Sequence, residues 1–148
     1  MSTDRFYDAI RAHFATTVPH SGECGMRMEA VNAQYAEAVL PYRDAWLGDT
    51  ERRLIHTGVI TTLVDSVCGA ALLAHLGRFD TIATLDLRMD YLRPALPDKP
   101  LRCRAECYRL TSNIAFLRAS VWQDDPQVPV ATSQSAFMHS AQRGRGPL

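Results

Sequence analysis

The feature of this sequence that most constrains its fold is a long apolar stretch from Ile55 to Leu76 that carries one carboxylate, Asp65. The stretch is apolar on nearly every side of a helix, so we expect a helix that is buried on most faces. Thr57 is its expected N-cap, Gly58 its first helical residue and Gly77 its stop signal. Burial of an unpaired carboxylate costs free energy. Asp65 therefore needs either a partner or a function.

The remaining segments predict a single α+β domain. A helix is expected over residues 3–15, where Phe6, Ile10 and Phe14 have helical spacing. Six strands are expected at residues 25–31, 35–40, 81–91, 101–110, 113–123 and 128–139. A series of antiparallel strands with one apolar helix favours a curved sheet wrapped about that helix, the architecture called the hotdog fold.

The finer expectations concern the strands after the long helix and the connections. The last four strands are expected to form an up-and-down series. Alternation in residues 81–91 places Thr84, Asp86, Arg88 and Asp90 on one face, opposite Leu85, Leu87, Met89 and Tyr91. Three segments are expected to lack regular structure: a loop at 18–25, a mostly irregular segment at 41–55 and a disordered tail at 140–148.

Composition indicates what the chain does not do. With 148 residues and zero net charge, it is the size of one domain and has no broad attraction for nucleic acid or an anionic membrane. No positive segment precedes an apolar run at the N-terminus, and polar residues interrupt the long helix, so neither a signal peptide nor a membrane span is expected. The 4 cysteines and the histidines lack metal-ligand spacing. We expect reduced thiols, no metal, no cofactor and a cytoplasmic location.

The surroundings of Asp65 favour a pocket. Its neighbours three and four positions away are small or nearly so and include no cation: Thr61, Thr62, Cys68 and Gly69. Small neighbours leave room for a ligand beside the carboxylate. The backbone N–H groups at the helix start carry partial positive charge and can stabilise an oxyanion. A carboxylate and an oxyanion-binding helix end together indicate acyl transfer.

Spacing then restricts how the two features can cooperate. Thr57 and Asp65 are separated by roughly 12 Å along a helix. One carbonyl carbon cannot lie about 3 Å from both within a single chain. Either the two features are unrelated, or the site joins the helix end of one subunit to the Asp of another, which a two-fold dimer would do twice.

The segments "HTGVITTLVDSVCGAAL" and "TLDLRMDYLRPA" resemble the hotdog-fold acyl-CoA thioesterases of the phenylacetate-degradation type. The residues in step with that family's pattern are His56, Gly58, Asp65, Asp86, Tyr91, Pro94 and Ala95. The resemblance covers roughly residues 37–139 and implies hydrolysis of an aromatic or short to medium-chain acyl-CoA to a free acid and coenzyme A. It also implies a homodimer with shared sites, with a dimer of dimers as a further option.

The resemblance assigns roles to individual positions. Asp65 would be the general base or nucleophile, the N–H of Thr57 would polarise the thioester carbonyl, and His56 would shape that turn beside Gly58. Thr84 falls where the family places a hydroxyl near the attacking water. The positions near which the family holds coenzyme A correspond to Tyr91, Arg93, Arg109, Ser112 and Asn113.

Other interpretations of the same residues remain open. Asp65 could pair with an arginine, His56 could only cap a loop, and Arg93 and Arg109 could be ordinary surface charges. Two positions depart from the family pattern, Thr50 for its usual Asn and Thr57 for its first Gly. They keep open a module that binds acyl-CoA without cleaving it. A hotdog hydratase or dehydratase, which would use a His with a carboxylate, is the other enzymatic alternative.

Overall fold

A computed structural model describes residues 2–140 of the chain. Apart from Ser140, the predicted disordered tail lies outside the described residues. The helices are α1 (Thr3–Thr16), α2 (Pro19–Glu23) and α3 (Thr57–Leu76), and a short 3-10 turn covers Asp44–Trp46. The strands are β1 (Arg27–Val31), β2 (Ala36–Leu40), β3 (Leu47–Asp49), β4 (Leu54–Ile55), β5 (Ile82–Tyr91), β6 (Leu101–Leu110), β7 (Ile114–Trp122) and β8 (Ala131–His139).

The N-terminal helix forms as predicted and docks on the core. The side chain of Ser2 accepts a hydrogen bond from the N–H of Arg5, which caps α1. Phe6, Ile10 and Phe14 are all buried, as their spacing predicted. The loop expected at 18–25 is wrong in part, because α2 lies within it. Proline at the first turn of a helix is compatible with α2 because that position needs no N–H donor.

Six strands form one antiparallel sheet in the order β1-β2-β6-β7-β8-β5. The two strands expected at 25–31 and 35–40 form an antiparallel hairpin, and the Asn32 side chain holds its turn by accepting from the N–H groups of Gln34 and Tyr35. The expected up-and-down series is wrong for β5. Only β6, β7 and β8 follow one another, whereas β5 pairs with β8 and forms one edge of the sheet. Segment 41–55 also contains the small β3–β4 pair.

The long helix lies in the concave face of this sheet. α3 contacts all six strands, which one straight helix can do only if the sheet curves around it. Its buried residues include Leu63, Val64, Val67 and Leu72. The structure is the predicted hotdog fold. By length and composition α3 could also cross a membrane, but most of it is buried within the fold, as is common for the core helix of a protein outside the membrane.

A β-bulge changes which side chains of β5 face the helix. The register with β8 shifts between Thr84 and Asp86, so Leu85 falls out of the ladder and is 56% exposed. Thr84 lies opposite Phe137 and Leu87 opposite Ser135, and both of these partners are buried. The predicted alternation, which separated Thr84 from Leu87, is therefore wrong at this point. The bulge places both on the helix-facing side.

Candidate active site

Asp65 lies near the middle of α3 and points towards the first half of β5. Its carboxylate is half-buried, and the hydroxyl of Thr84 donates a hydrogen bond to Oδ1 at 2.7 Å. The structure describes no salt bridge to this carboxylate within residues 2–140. The Thr84 contact uses one carboxylate oxygen and leaves Oδ2 for a ligand or a water molecule. The bulge at Leu85 makes this contact possible because it turns Thr84 towards the helix.

Asp65 opens into a cavity of about 780 Å³. This volume is within the range of small-molecule sites. Its walls come from α1, α3 and the start of β5, and Phe137 of β8 adds a buried apolar surface. Small side chains beside Asp65 thus leave the room that the sequence predicted, with Gly69 one turn further along the helix.

The start of α3 is organised by His56. The predicted N-cap is wrong by one residue: His56 is the N-cap, and Thr57 is the first helical residue. The imidazole Nδ1 accepts a hydrogen bond from the N–H of Gly58 at 2.8 Å. A side chain on Gly58 would approach this nitrogen to 2.9 Å, and one on Gly48 would approach Cβ of His56 to 2.9 Å. Both glycines therefore make room for the capping histidine, and sequence reasoning missed Gly48.

This cap leaves one donor at the helix start. The N–H of Val59 is bonded to the carbonyl of His56, and the N–H of Gly58 is bonded to the imidazole. Within residues 2–140 no acceptor contacts the N–H of Thr57. Thr57 is exposed, so this N–H is available to a ligand. The cap uses Nδ1 of the imidazole, and no hydrogen bond to its Nε2 is described within residues 2–140.

Tyr91 ends β5 beside the helix start. Its hydroxyl lies 2.8 Å from Oγ1 of Thr61 and donates to the carbonyl of Thr57 at 3.4 Å. Tyr91 as a residue is 44% exposed. Tyr91 therefore belongs with Thr57 and not with Asp65, because β5 runs antiparallel to α3 and brings Thr84 to the middle of the helix.

The predicted coenzyme A contacts fall into two groups in one chain. Arg93 follows Tyr91, and its Nε donates to the carbonyl of Pro129 at 2.9 Å. Arg109, Ser112 and Asn113 lie at the β6–β7 turn. The carbonyl of Asn113 accepts a hydrogen bond from the N–H of His139, and His139 pairs with the first residue of β5, so this turn lies near the start of β5. The two ends of β5 are about 30 Å apart. One chain does not bring the two groups together.

Within residues 2–140 the cysteines and the charged residues form no metal centre. All four cysteines are free, and burial raises the pKa of the Cys68 thiol to about 12. Burial also raises the pKa of Cys103. In the described part of the chain, no three His, Cys, Asp or Glu side chains group closely enough to hold a metal ion. The predicted lack of a metal and of a separate cofactor stays a prediction.

Comparison with known proteins supplies the family. Residues 53–130, just over half of the chain, match the model of the thioesterase superfamily. The chain belongs to this superfamily. The matched region contains the α3 start, Asp65 and β5. The predicted resemblance is thus confirmed at the level of the superfamily, and the protein is a thioester hydrolase.

Individual relatives agree with this assignment. A Pseudomonas aeruginosa protein of known structure is 39% identical, with a TM-score of 0.80 over 90% of this chain and 98% of its own. A phenylacetic acid degradation-related protein from Ralstonia eutropha is 25% identical, with a TM-score of 0.77 over 90% of this chain and 98% of its own. A medium/long-chain acyl-CoA thioesterase of Escherichia coli is 23% identical. The alignment covers 84% of the present chain and 88% of the Escherichia coli protein.

Proposed function

We propose that this thioesterase hydrolyses acyl-CoA to a free acid and coenzyme A, with each active site shared between two subunits of a homodimer. The observation that carries the proposal is the Asp65–Thr84 pair at the cavity, together with the unpartnered N–H of Thr57 at the start of the same helix. The name of the Escherichia coli relative supports an acyl-CoA substrate. The likeness to the phenylacetic acid degradation-related protein supports membership of the phenylacetate-degradation subfamily.

Asp65 supplies the base or the nucleophile. As a base, Oδ2 removes a proton from water while the water oxygen attacks the thioester carbonyl carbon. The tetrahedral oxyanion then collapses and expels the thiolate of coenzyme A, which takes up the proton held by Asp65. As a nucleophile, Asp65 would form a mixed anhydride that water hydrolyses. Thr84 holds Oδ1 in both routes, so the remaining oxygen faces the substrate.

The N–H of Thr57 stabilises the oxyanion. The positive end of the α3 dipole adds to this donor, which needs no reorganisation because the His56 cap fixes the turn. One donor of this kind is typically worth about 3 kcal/mol, or roughly a hundredfold in rate. The Thr57 side chain does not alter the donor, because the hydrogen bond comes from the backbone.

Spacing supports a shared site. Eight residues of α3 separate Thr57 from Asp65, about 12 Å along the helix, so one carbonyl cannot meet both groups of one chain. The edge strand β5 carries Thr84 near its start and Tyr91 at its end. Antiparallel pairing of β5 with its copy across a two-fold axis would bring the start of one strand beside the end of the other. The same operation would join the two groups of coenzyme A contacts.

The surface of β5 supports this pairing. It is an edge strand of ten residues, and its outer backbone groups have no strand partner within the described residues. Leu85, Tyr91 and Leu92 are large apolar side chains that are 56%, 44% and 52% exposed on or beside this strand. Burial of such a patch favours association. Neither Arg93 nor Arg109 pairs with a carboxylate within residues 2–140, which leaves both for phosphate contacts.

Two inactive variants test the shared site by complementation. Asp65→Asn removes the base, and Thr57→Pro removes the N–H at the first helical position, where proline is tolerated. His56 already has the extended backbone that a following proline requires, with φ −64° and ψ 132°. Each variant alone should release thiol from acyl-CoA about a hundredfold more slowly than wild type. Thr57→Ala, which keeps the N–H, is the matched control and should stay near wild type.

Co-expression of the two variants at equal levels should restore activity. In a shared-site dimer, half of the dimers are mixed and each has one intact site, so about a quarter of wild-type activity is expected. If each site belonged to one chain, mixing would restore nothing, and the shared site would be refuted. If wild type released no thiol from any acyl-CoA, the function itself would be refuted.

A further inference from the structure

His139, the last residue of β8, is a buried histidine to which the proposed mechanism gives no role. It is 5% exposed. Its ring lies between two backbone carbonyls: Nε2 is 2.9 Å from the carbonyl oxygen of Thr111, and Nδ1 is 3.3 Å from that of Ser140. A carbonyl oxygen only accepts hydrogen bonds, so the shorter contact requires an N–H on Nε2. The ring of His139 therefore donates to the β6–β7 turn.

The backbone of His139 holds the same turn at a second point. Its N–H donates to the carbonyl of Asn113 at 2.9 Å. The turn is also closed on itself, because the N–H of Thr111 donates to the carbonyl of Ile114 at 2.7 Å and the hydroxyl of Thr111 accepts from the N–H of Ile114 at 3.0 Å. The carbonyls of Thr111 and Asn113 thus both point towards one buried residue.

Peptide geometry turns the opposite edge of this segment outwards. The peptide bond between Thr111 and Ser112 is trans, so its carbonyl and its N–H point in opposite directions. Because the carbonyl of Thr111 points to His139, the N–H of Ser112 points away from that buried ring. Within residues 2–140 no acceptor contacts the N–H groups of Ser112 and Asn113, and both residues are exposed. The turn therefore presents unpaired backbone donors to solvent.

The charges of this segment favour an anion as the ligand of those donors. Arg109 precedes the turn, is exposed and forms no ion pair within residues 2–140. The segment from residue 107 to residue 123 contains no Asp or Glu, so the hairpin itself supplies no competing carboxylate. Backbone N–H groups beside a guanidinium make a site that suits phosphate oxygens.

We propose that the N–H of Ser112 binds a phosphate of coenzyme A, with Arg109 beside it, and that His139 is the positioning residue that holds this N–H towards the substrate. The inference rests on the proposed acyl-CoA hydrolysis and adds the part of the substrate that the turn binds, which is the nucleotide. The turn lies near the start of β5, where Thr84 contacts Asp65. One subunit of the proposed dimer thus supplies both the base and this phosphate contact.

The experiment compares one acyl group carried by coenzyme A and by pantetheine, which lacks the nucleotide and its phosphates. The acyl group is the one that wild type cleaves fastest in a panel of acyl-CoAs. In His139→Asn we expect KM for acyl-CoA to rise about tenfold, the loss typical of a hydrogen bond to a charged group. Its kcat should stay within about twofold of wild type, since a contact made equally in ground and transition states affects KM alone. With acyl-pantetheine, both constants should stay within about twofold of wild type, because this ester has no phosphate to lose.

A conservative variant separates the position of the turn from the stability of the fold. The glutamine side chain is one carbon longer than that of asparagine, so His139→Gln returns an amide N–H near the position of Nε2. Its KM for acyl-CoA should stay within about threefold of wild type. His75→Asn makes the same exchange as His139→Asn at an exposed position of α3 and should leave all constants unchanged.

A double variant tests whether His139 acts through the N–H of Ser112. Ser112→Pro removes that N–H at the first central position of a turn, where proline is favoured, and Ser112 has the negative φ that proline requires. KM for acyl-CoA should rise about tenfold in this variant. Adding His139→Asn should then raise KM by no more than about twofold, because the contact that His139 supports is already lost. Multiplied losses in the double variant would overturn the coupling.

The remaining outcomes separate this inference from the function on which it rests. The inference is overturned by an unchanged KM for acyl-CoA in His139→Asn, by an equal rise in KM for both esters, or by a Gln variant as impaired as the Asn variant. If the His139 variants do not fold, Ser112→Pro decides alone, and a wild-type KM for acyl-CoA in that variant overturns the phosphate contact. A wild type that cleaves both esters with equal KM overturns the phosphate site but keeps the hydrolase. A wild type that cleaves neither ester refutes the proposed function instead.

Discussion

The hydroxyl of Thr84 should contribute to catalysis only through Asp65. Thr84→Val keeps the shape of the side chain and removes the hydrogen bond that Oγ1 donates to Oδ1 of Asp65 at 2.7 Å. The carboxylate would then rotate more freely, and Oδ2 would spend less time in the orientation that activates water. Valine also suits a strand, so β5 should remain intact.

The structure sets the expected magnitude. A hydrogen bond to a charged group is worth about 1.5–3 kcal/mol. Thr84 is exposed and Asp65 is half-buried, so water can partly replace the lost hydroxyl and the lower end of this range applies. About 1.5 kcal/mol corresponds to roughly a tenfold fall in kcat. The assay is thiol release at saturating acyl-CoA, with KM measured in parallel and expected to change less than twofold.

Thr84→Ser is the matched control because it keeps the hydroxyl and removes only a methyl group. It should retain at least a third of wild-type kcat. Wild-type activity in Thr84→Val would refute the positioning role. Equal losses in the Ser and Val variants would show that the methyl group, and not the hydrogen bond, is what matters. Thermal unfolding of all three proteins checks that the fold is unchanged.

Two further predictions concern an aspartate in the cavity wall and a buried cysteine. Hydrogen bonds from the Ser140 hydroxyl and the Thr81 N–H, together with the charge of Arg78, hold the pKa of Asp80 below its usual range. The ionised carboxylate therefore stabilises the fold fully at pH values above the unfolded pKa of about 4, and this stabilisation is lost as the pH falls further. Urea unfolding should show Asp80→Asn less stable than wild type at pH 7, with the difference shrinking towards pH 3; a constant difference would contradict this. Burial raises the pKa of Cys68 to about 12, so a disulfide reagent at pH 8 should leave it unmodified in the native protein and modify it in denaturant. Rapid labelling of native Cys68, read by mass spectrometry, would contradict its burial.

The fold could be predicted because hydrophobic periodicity depends on local sequence. The burial of α3 and of Phe6, Ile10 and Phe14 follows directly from spacing. The pairing of β5 with β8 could not be predicted from the sequence, since consecutive strands are more often neighbours and that rule places β5 beside β6. The N-cap was predicted one residue too late, at Thr57, because His is not among the preferred capping residues. In the structure, Nδ1 of His56 accepts the capping hydrogen bond.

The site was predicted in its residue types and only partly in its arrangement. Small neighbours indicated the cavity at Asp65, and the structure describes one there. The Thr84–Asp65 contact depends on the bulge at Leu85, and strand alternation contains no signal for a bulge. The missed Gly48 acts through van der Waals contact with His56, eight residues away and across the β3–β4 pair, which spacing along one element cannot indicate.

The most direct test is thiol release from a panel of straight-chain and aryl acyl-CoAs by wild type and Asp65→Asn. Asparagine has the same shape and can still accept the hydrogen bond from Thr84, so the variant should fold normally while it lacks the base. We expect rapid release by wild type and at least a hundredfold slower release by the variant, the size of effect typical of a general base. Equal release by both proteins would mean that Asp65 is structural, and it would contradict the account.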